Sequence, residues 1–187
     1  MHKFKSTLIV LSAASGAGKT TIANILANKY PEMQISISAT TRGIRPREID
    51  GEDYHFITID AFQKHIRDKN FLEYEEVHGD YYGTLKNRVD DMLSRGKTVI
   101  FDIDVKGALS IKRIYPHAIL VFIKTPSLSE LKRRLKNRKS ESEEAIQKRL
   151  SRIDFEYEQA DKFDHIVIND KLEHAVEQIE NLVLERG

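Results

Sequence analysis

The segment Ala13-Ala14-Ser15-Gly16-Ala17-Gly18-Lys19-Thr20 joins an apolar run, Leu8-Ile9-Val10-Leu11, to a stretch with helical spacing. Small residues ahead of a lysine and a hydroxyl, set between a strand and a helix, let successive backbone N–H groups and a helix N-terminus close around phosphate oxygens. Gly16 and Gly18 permit close approach, Lys19 supplies a point charge, and Thr20 offers a hydroxyl to Mg²⁺. The run from Ala13 to Thr20, extended by Thr21, is therefore the expected binding loop for the phosphates of a nucleotide such as ATP. Its first position, glycine in the strict pattern, is Ala13, which serves provided its φ stays negative.

Downstream, Thr98-Val99-Ile100-Phe101-Asp102 reads as four strand-forming residues ending in a carboxylate. Ligands of open α/β sheets gather at the C-terminal strand ends, so Asp102 is a candidate to orient Mg²⁺, directly or through water. Asp104, two residues on, projects to the same side. Surface turn residues are the bland alternative for both. A second group of residues carries guanidinium forks and phenol hydroxyls on loops: Arg42 and Arg45, then Tyr54, then Tyr82. Arg suits bidentate contacts with phosphate oxygens and tyrosine hydroxyls add donors, which implies a second phosphate site.

The elements that would position these groups alternate. Strand-like runs occupy 7–12, 35–38, 98–102, 119–124 and 165–168, and helical spacing covers 19–30, 84–95, 127–138, 143–158 and 172–186. Several strands are apolar on both faces, as in a parallel sheet covered by helices on each side, so the expected fold is a doubly wound α/β sheet. Two regions break the alternation. Residues 39–83, with short strand-like pieces at 54–58 and 71–77, form an expected small α+β insert. Residues 131–152 carry nine basic and three acidic side chains and form an expected helical lid. The core is then 1–38, 84–130 and 153–187 of a single domain.

Composition narrows the function. The 187 residues carry a net charge of +1, which argues against a charge-driven nucleic-acid binder. No cysteine is present, so a disulfide scaffold, a thiolate zinc site and a cysteine nucleophile are all excluded. The seven histidines are scattered without the spacing of a helical metal site. The apolar run after Lys3 and Lys5 is too short for an export signal, and no run approaches a membrane span. A cytoplasmic protein with small-molecule partners, without nucleic acid or membrane, is expected; no motif speaks to oligomeric state.

Together with the phosphate loop, the motifs SxTTRxxR (38–45), GxDYxF (51–56), FxEY (71–74), GxYYGT (79–84), DIDxxG (102–107) and VINDxL (167–172) resemble guanylate kinase over nearly the whole chain. The resemblance implies phosphoryl transfer from MgATP to GMP. It implies that Arg42, Arg45, Tyr54 and Tyr82 grip the acceptor phosphate and that Ser38, Glu73, Thr84 and Asp104 read the guanine. Lys19, Arg42, Arg134, Arg138 and Arg149 match the charge-stabilising catalytic set. Asn169 matches a position near the donor adenine, while on residue chemistry alone it is equally a helix cap before Leu172.

The base reading has its own chemical logic. Guanine offers N1–H and N2–H donors side by side, which one carboxylate, Glu73, can accept together, whereas adenine has an acceptor at N1 and no 2-amino group. Two further classes share parts of the pattern: a phosphopeptide-binding module of the same fold, and a kinase for a sugar bisphosphate. The intact Lys19, Thr20 and lid arginines argue against the first. Glu73 with Ser38 and Thr84 argues against the second.

Overall fold

The computed structural model describes residues 7–77, 79–136 and 143–185. Its strands are β1 (Leu8–Ala13), β2 (Met33–Ser36), β3 (Ala39–Thr40), β4 (His55–Phe56), β5 (Phe71–Val77), β6 (Asp80–Leu85), β7 (Thr98–Asp102), β8 (Ile119–Lys124) and β9 (His165–Ile168). Its helices are α1 (Lys19–Lys29), α2 (Ile59–Arg67), α3 (Lys86–Ser94), α4 (Val105–Ile114), α5 (Leu128–Lys136), α6 (Glu143–Glu158) and α7 (Leu172–Glu185).

Five strands form a parallel sheet in the order β2-β7-β1-β8-β9. Side chains alternate across a strand, and here both faces are apolar. Ile9 and Leu11 of β1 pack with Ile100, Val121 and Ile123 against α1 and α7 through Ile22, Leu26, Val176 and Ile179. Leu8 and Val10 pack with Val99, Phe101, Leu120 and Phe122 against α3 and α4 through Val89, Ala108 and Ile111. The doubly wound reading is therefore correct. The chain leaves β1 toward one edge of the sheet and later passes to β8 on the other side, so the C-terminal ends of β7, β1 and β8 flank a topological switch point.

The insert carries its own four-stranded sheet, ordered β4-β3-β6-β5. The helical spacing read from 84 onward starts too early: Thr84 lies on β6, paired with Glu73 of β5, and α3 begins at Lys86. Cross-strand pairing in the β5–β6 hairpin outweighs the local pattern there. Helix α2 is not among the helical stretches read from the sequence, and the strand-like piece at 54–58 shrinks to β4 at His55–Phe56. Thr58 instead caps α2, its hydroxyl accepting from the Ala61 N–H at 3.2 Å.

Candidate active site

Strand β1 ends at Ala13, and the chain turns through Gly16 (φ 93°) and Gly18 (φ 97°) into α1. Those two positive φ values are what glycine supplies. Ala13 has a negative φ as part of β1, so alanine meets the condition that the pattern's first position imposes. The first turn of α1 exposes Thr20 and Thr21 beside the loop. Lys19 Nζ lies 2.7 Å from Asp102 Oδ1 and donates to the Ile103 carbonyl at 2.8 Å. Asp102 thus stands at the end of β7 as anticipated and holds the loop lysine toward the crevice.

Asn169 follows β9. Its backbone N–H donates to the Lys124 carbonyl at 2.7 Å, and its buried side-chain Nδ2 donates to the Ala17 carbonyl at 2.8 Å. A Cβ on Gly18 would come within 2.5 Å of that Nδ2. In this structure the Asn169 side chain is a tether on the phosphate loop and not a cap for α7. Arg134 is tied to the same point, its Nη2 donating to the Asn169 carbonyl at 3.1 Å while its Nε donates to Glu130 at 2.7 Å. Glu130, paired first with Arg133 and then with Arg134, is held down to about 2. Arg138 lies outside the described residues. Arg149 lies on α6, and its side chain is likewise not described.

The opposite wall belongs to the insert. One cleft of about 450 Å³ is lined by residues 13–21, by Ser38, Arg42, Arg45, Tyr54, Glu73 and Tyr82, and by Asp102 and Asp104. Arg42 donates to both oxygens of Glu48, at 2.7 and 3.0 Å, and its guanidinium carbon lies 5.3 Å from the centre of the Tyr54 ring. Tyr54 in turn meets Tyr82 edge to face at 5.9 Å. Burial pushes the Tyr54 hydroxyl up, so it remains a donor at neutral pH.

Glu73 reaches the cleft because β5 slips register between Phe71 and Glu73. Such an irregularity re-aims the side chains that follow it: Leu72 and Glu73 are both buried, and Glu73 faces Thr84 across the hairpin. The Thr84 hydroxyl donates to Glu73 Oε1 at 2.5 Å, so Thr84 stands behind the carboxylate and does not line the cleft. Burial, offset in part by that bond and reinforced by the nearby Asp104, raises Glu73 to about 7. Asp104 is the N-cap of α4, its Oδ1 accepting from the Gly107 N–H at 2.9 Å.

Four acidic residues of the cleft lie outside the candidate set read from the sequence: Glu48, Glu75, Asp80 and Glu156. Glu75 follows Glu73 by two on the same face of β5, which period-2 spacing could have flagged. Glu48 follows Arg45 by three, and its carboxylate also accepts from the Arg45 backbone N–H at 2.7 Å. Among the described residues, no cluster of three or more His, Asp or Glu side chains forms a metal cage.

A phosphate loop at the switch point of a parallel sheet, facing a cationic and phenolic wall across one cleft, is the arrangement of a P-loop phosphotransferase. The family model described as guanylate kinase matches residues 5–186. Guanylate kinases of Salinibacter ruber and Chlorobaculum tepidum are 50% and 45% identical to this chain, over 91% and 95% of it and 92% of each of theirs. A crystal structure of guanylate kinase from Anaplasma phagocytophilum superposes with a TM-score of 0.81 at 28% identity, covering 100% of this chain and 88% of that one. A shikimate kinase from Bacteroides thetaiotaomicron, 16% identical with a TM-score of 0.53 over 95% of this chain and 98% of that one, shares the fold. The chain belongs to the guanylate kinase family.

Proposed function

We infer that this cleft transfers the γ-phosphoryl group of ATP to GMP, giving ADP and GDP. The observation that carries the reading is Glu73, a buried carboxylate aimed into the same cleft as the phosphate loop. Ionised, it accepts N1–H and N2–H of guanine together. Adenine would leave the buried charge unpaired. Ser38 and Asp104 complete the base contacts, and Thr84 acts by holding Glu73.

In the transfer, an oxygen of the GMP phosphate attacks the γ-phosphorus and the bond to the β-bridging oxygen breaks, leaving ADP. The attacking phosphate is already an anion near pH 7, so no general base is required. Alignment and charge are what the protein supplies. The backbone of 13–18 and Thr21 hold the donor phosphates, with Asn169 keeping the loop in shape near the donor nucleotide. Arg42, Arg45, Tyr54 and Tyr82 hold the acceptor phosphate. Lys19, with Arg134, Arg138 and Arg149 of the expected lid, offsets charge on the transferring oxygens.

The donor set suits Mg²⁺. Thr20 and Asp102 both line the cleft and offer hard oxygens, with no closed cage among the described residues, which suits an ion that keeps water and phosphate ligands. Bound there, Mg²⁺ would neutralise phosphate charge and orient the β- and γ-oxygens. No described helix is long and apolar enough to cross a membrane, and a cytoplasmic enzyme acting on free nucleotides is the setting we propose. A coupled ADP-release assay over GMP, AMP, dTMP, CMP and a sugar bisphosphate tests the reading. Turnover with GMP far above the rest is expected, and equal turnover with AMP would overturn it.

A further inference from the structure

Five described glycines have positive φ: Gly16, Gly18, Gly51, Gly79 and Gly96. Gly107 is not among them. It lies in the first turn of α4 with an ordinary helical backbone, where alanine would favour the helix, so its presence calls for a packing reason. The space around it supplies one. A Cβ on Gly107 would lie 2.8 Å from Glu73 Oε2 and 3.3 Å from Glu73 Cδ. On another side, Ile103 Cδ1 would be at 3.3 Å. The backbone of this turn is pinned as well, since the Gly107 N–H donates to Asp104 Oδ1.

The carboxylate is therefore held between two elements. The Thr84 hydroxyl fixes Oε1 from β6, and the bare Cα of Gly107 forms the surface against which Oε2 rests. An added methyl group would stand tight against Ile103 Cδ1 at 3.3 Å, but its contact below 3.0 Å is with the Glu73 carboxylate, the tip of a side chain that can shift. We propose that Gly107 is a positioning residue for guanine recognition: its missing side chain sets the depth at which the Glu73 carboxylate stands in the cleft. The inference rests on Glu73 as the base-reading acid. It adds that the core helix α4, outside the insert, decides where that acid stands, so selectivity for the base is shared between the insert and the core.

The arrangement separates stability from selectivity. Moving a side-chain tip costs the fold little, whereas a carboxylate displaced by an ångström no longer meets two adjacent donors in line. Gly107→Ala should fold with its melting temperature unchanged or raised. Its KM for GMP should rise at least tenfold while its KM for ATP stays within twofold. The preference for GMP over IMP, which lacks the 2-amino group, should fall with it. Shortening the acid in that background should relieve the clash, so Glu73→Asp should cost less in the Gly107→Ala enzyme than in the wild type.

Glu73→Gln, measured in parallel, separates the two claims. If Glu73→Gln loses GMP use and Gly107→Ala keeps wild-type KM and base preference, the positioning role is wrong and the base reading stands. If Glu73→Gln itself uses GMP normally, the reading and the inference fall together. A Gly107→Ala protein that is unfolded, or that loses GMP and ATP affinity alike, marks a merely structural glycine and contradicts the proposal.

Discussion

The loop of residues 13–18 and the insert wall of the cleft are built by different means for the anions we propose they hold. The loop works through consecutive backbone groups, two glycines with positive φ and a helix start, braced from outside by the Asn169 side chain. The insert works through side chains drawn from separated segments, each held by a partner: Arg42 by Glu48, Tyr54 by Tyr82, Glu73 by Thr84. A backbone cradle recognises phosphate in general, whereas a wall of individually placed side chains can select one base. Generality thus belongs to the phosphate loop, and selectivity to the side chains facing it, with α4 of the core helping to place one of them.

The sharpest way to break this comparison is Lys19→Ala. It removes the charged side chain that directly follows the loop, and kcat should fall by about 10³-fold or more while GMP binding survives. Steady-state kinetics with GMP binding by calorimetry check this. Retained turnover would mean that the loop is not where phosphate charge is met.

Glu73 supplies a pH test of the insert wall. GMP needs the ionised acid, and with Glu73 near 7 the apparent affinity for GMP should rise about tenfold between pH 6 and pH 8. The GMP phosphate titrates near 6 as well, so Glu73→Gln is the control, and its profile should be flatter. Stability should move the other way. A carboxyl raised above its ordinary value favours the fold fully below about 4.5 and progressively less as pH climbs through 7. The melting temperature of Glu73→Gln should therefore match wild type at pH 4.5 and exceed it at pH 8, by up to roughly 3 kcal/mol in stability.

Two smaller effects sharpen the contrast. Glu48→Ala frees the Arg42 fork and should raise the KM for GMP by about fivefold without touching that for ATP. Asn169→Ala removes the brace on the loop, and it should raise the KM for ATP about threefold and leave GMP unaffected. Crossed effects, ATP in the first or GMP in the second, would erase the distinction between the walls.

The same contrast governs what could be read from the sequence. The phosphate loop is contiguous, so Ala13–Thr20 was legible as a string, and the parallel sheet followed from strands apolar on both faces. On the insert, guanidinium and phenol chemistry pointed to a second phosphate site at Arg42, Arg45, Tyr54 and Tyr82, and the individual roles, Glu73 as base reader among them, came through the resemblance to a family. The pairings that hold them were not legible, because a bulge at Leu72, a hairpin that places Thr84 behind Glu73 and a turn that returns Glu48 to Arg42 leave no periodic trace. Asn169 was read as an adenine neighbour or a helix cap, and its contact with Ala17 spans 152 residues of chain, beyond any local signal.

The most direct test of the central claim is the kinetics of Glu73→Gln with the two substrates varied separately. An amide presents a donor where guanine also donates, so kcat/KM for GMP should fall by about 10²-fold or more while KM for ATP stays at its wild-type value. An equal loss for both nucleotides, or none for GMP, would contradict the assignment of Glu73 as the group that reads the base.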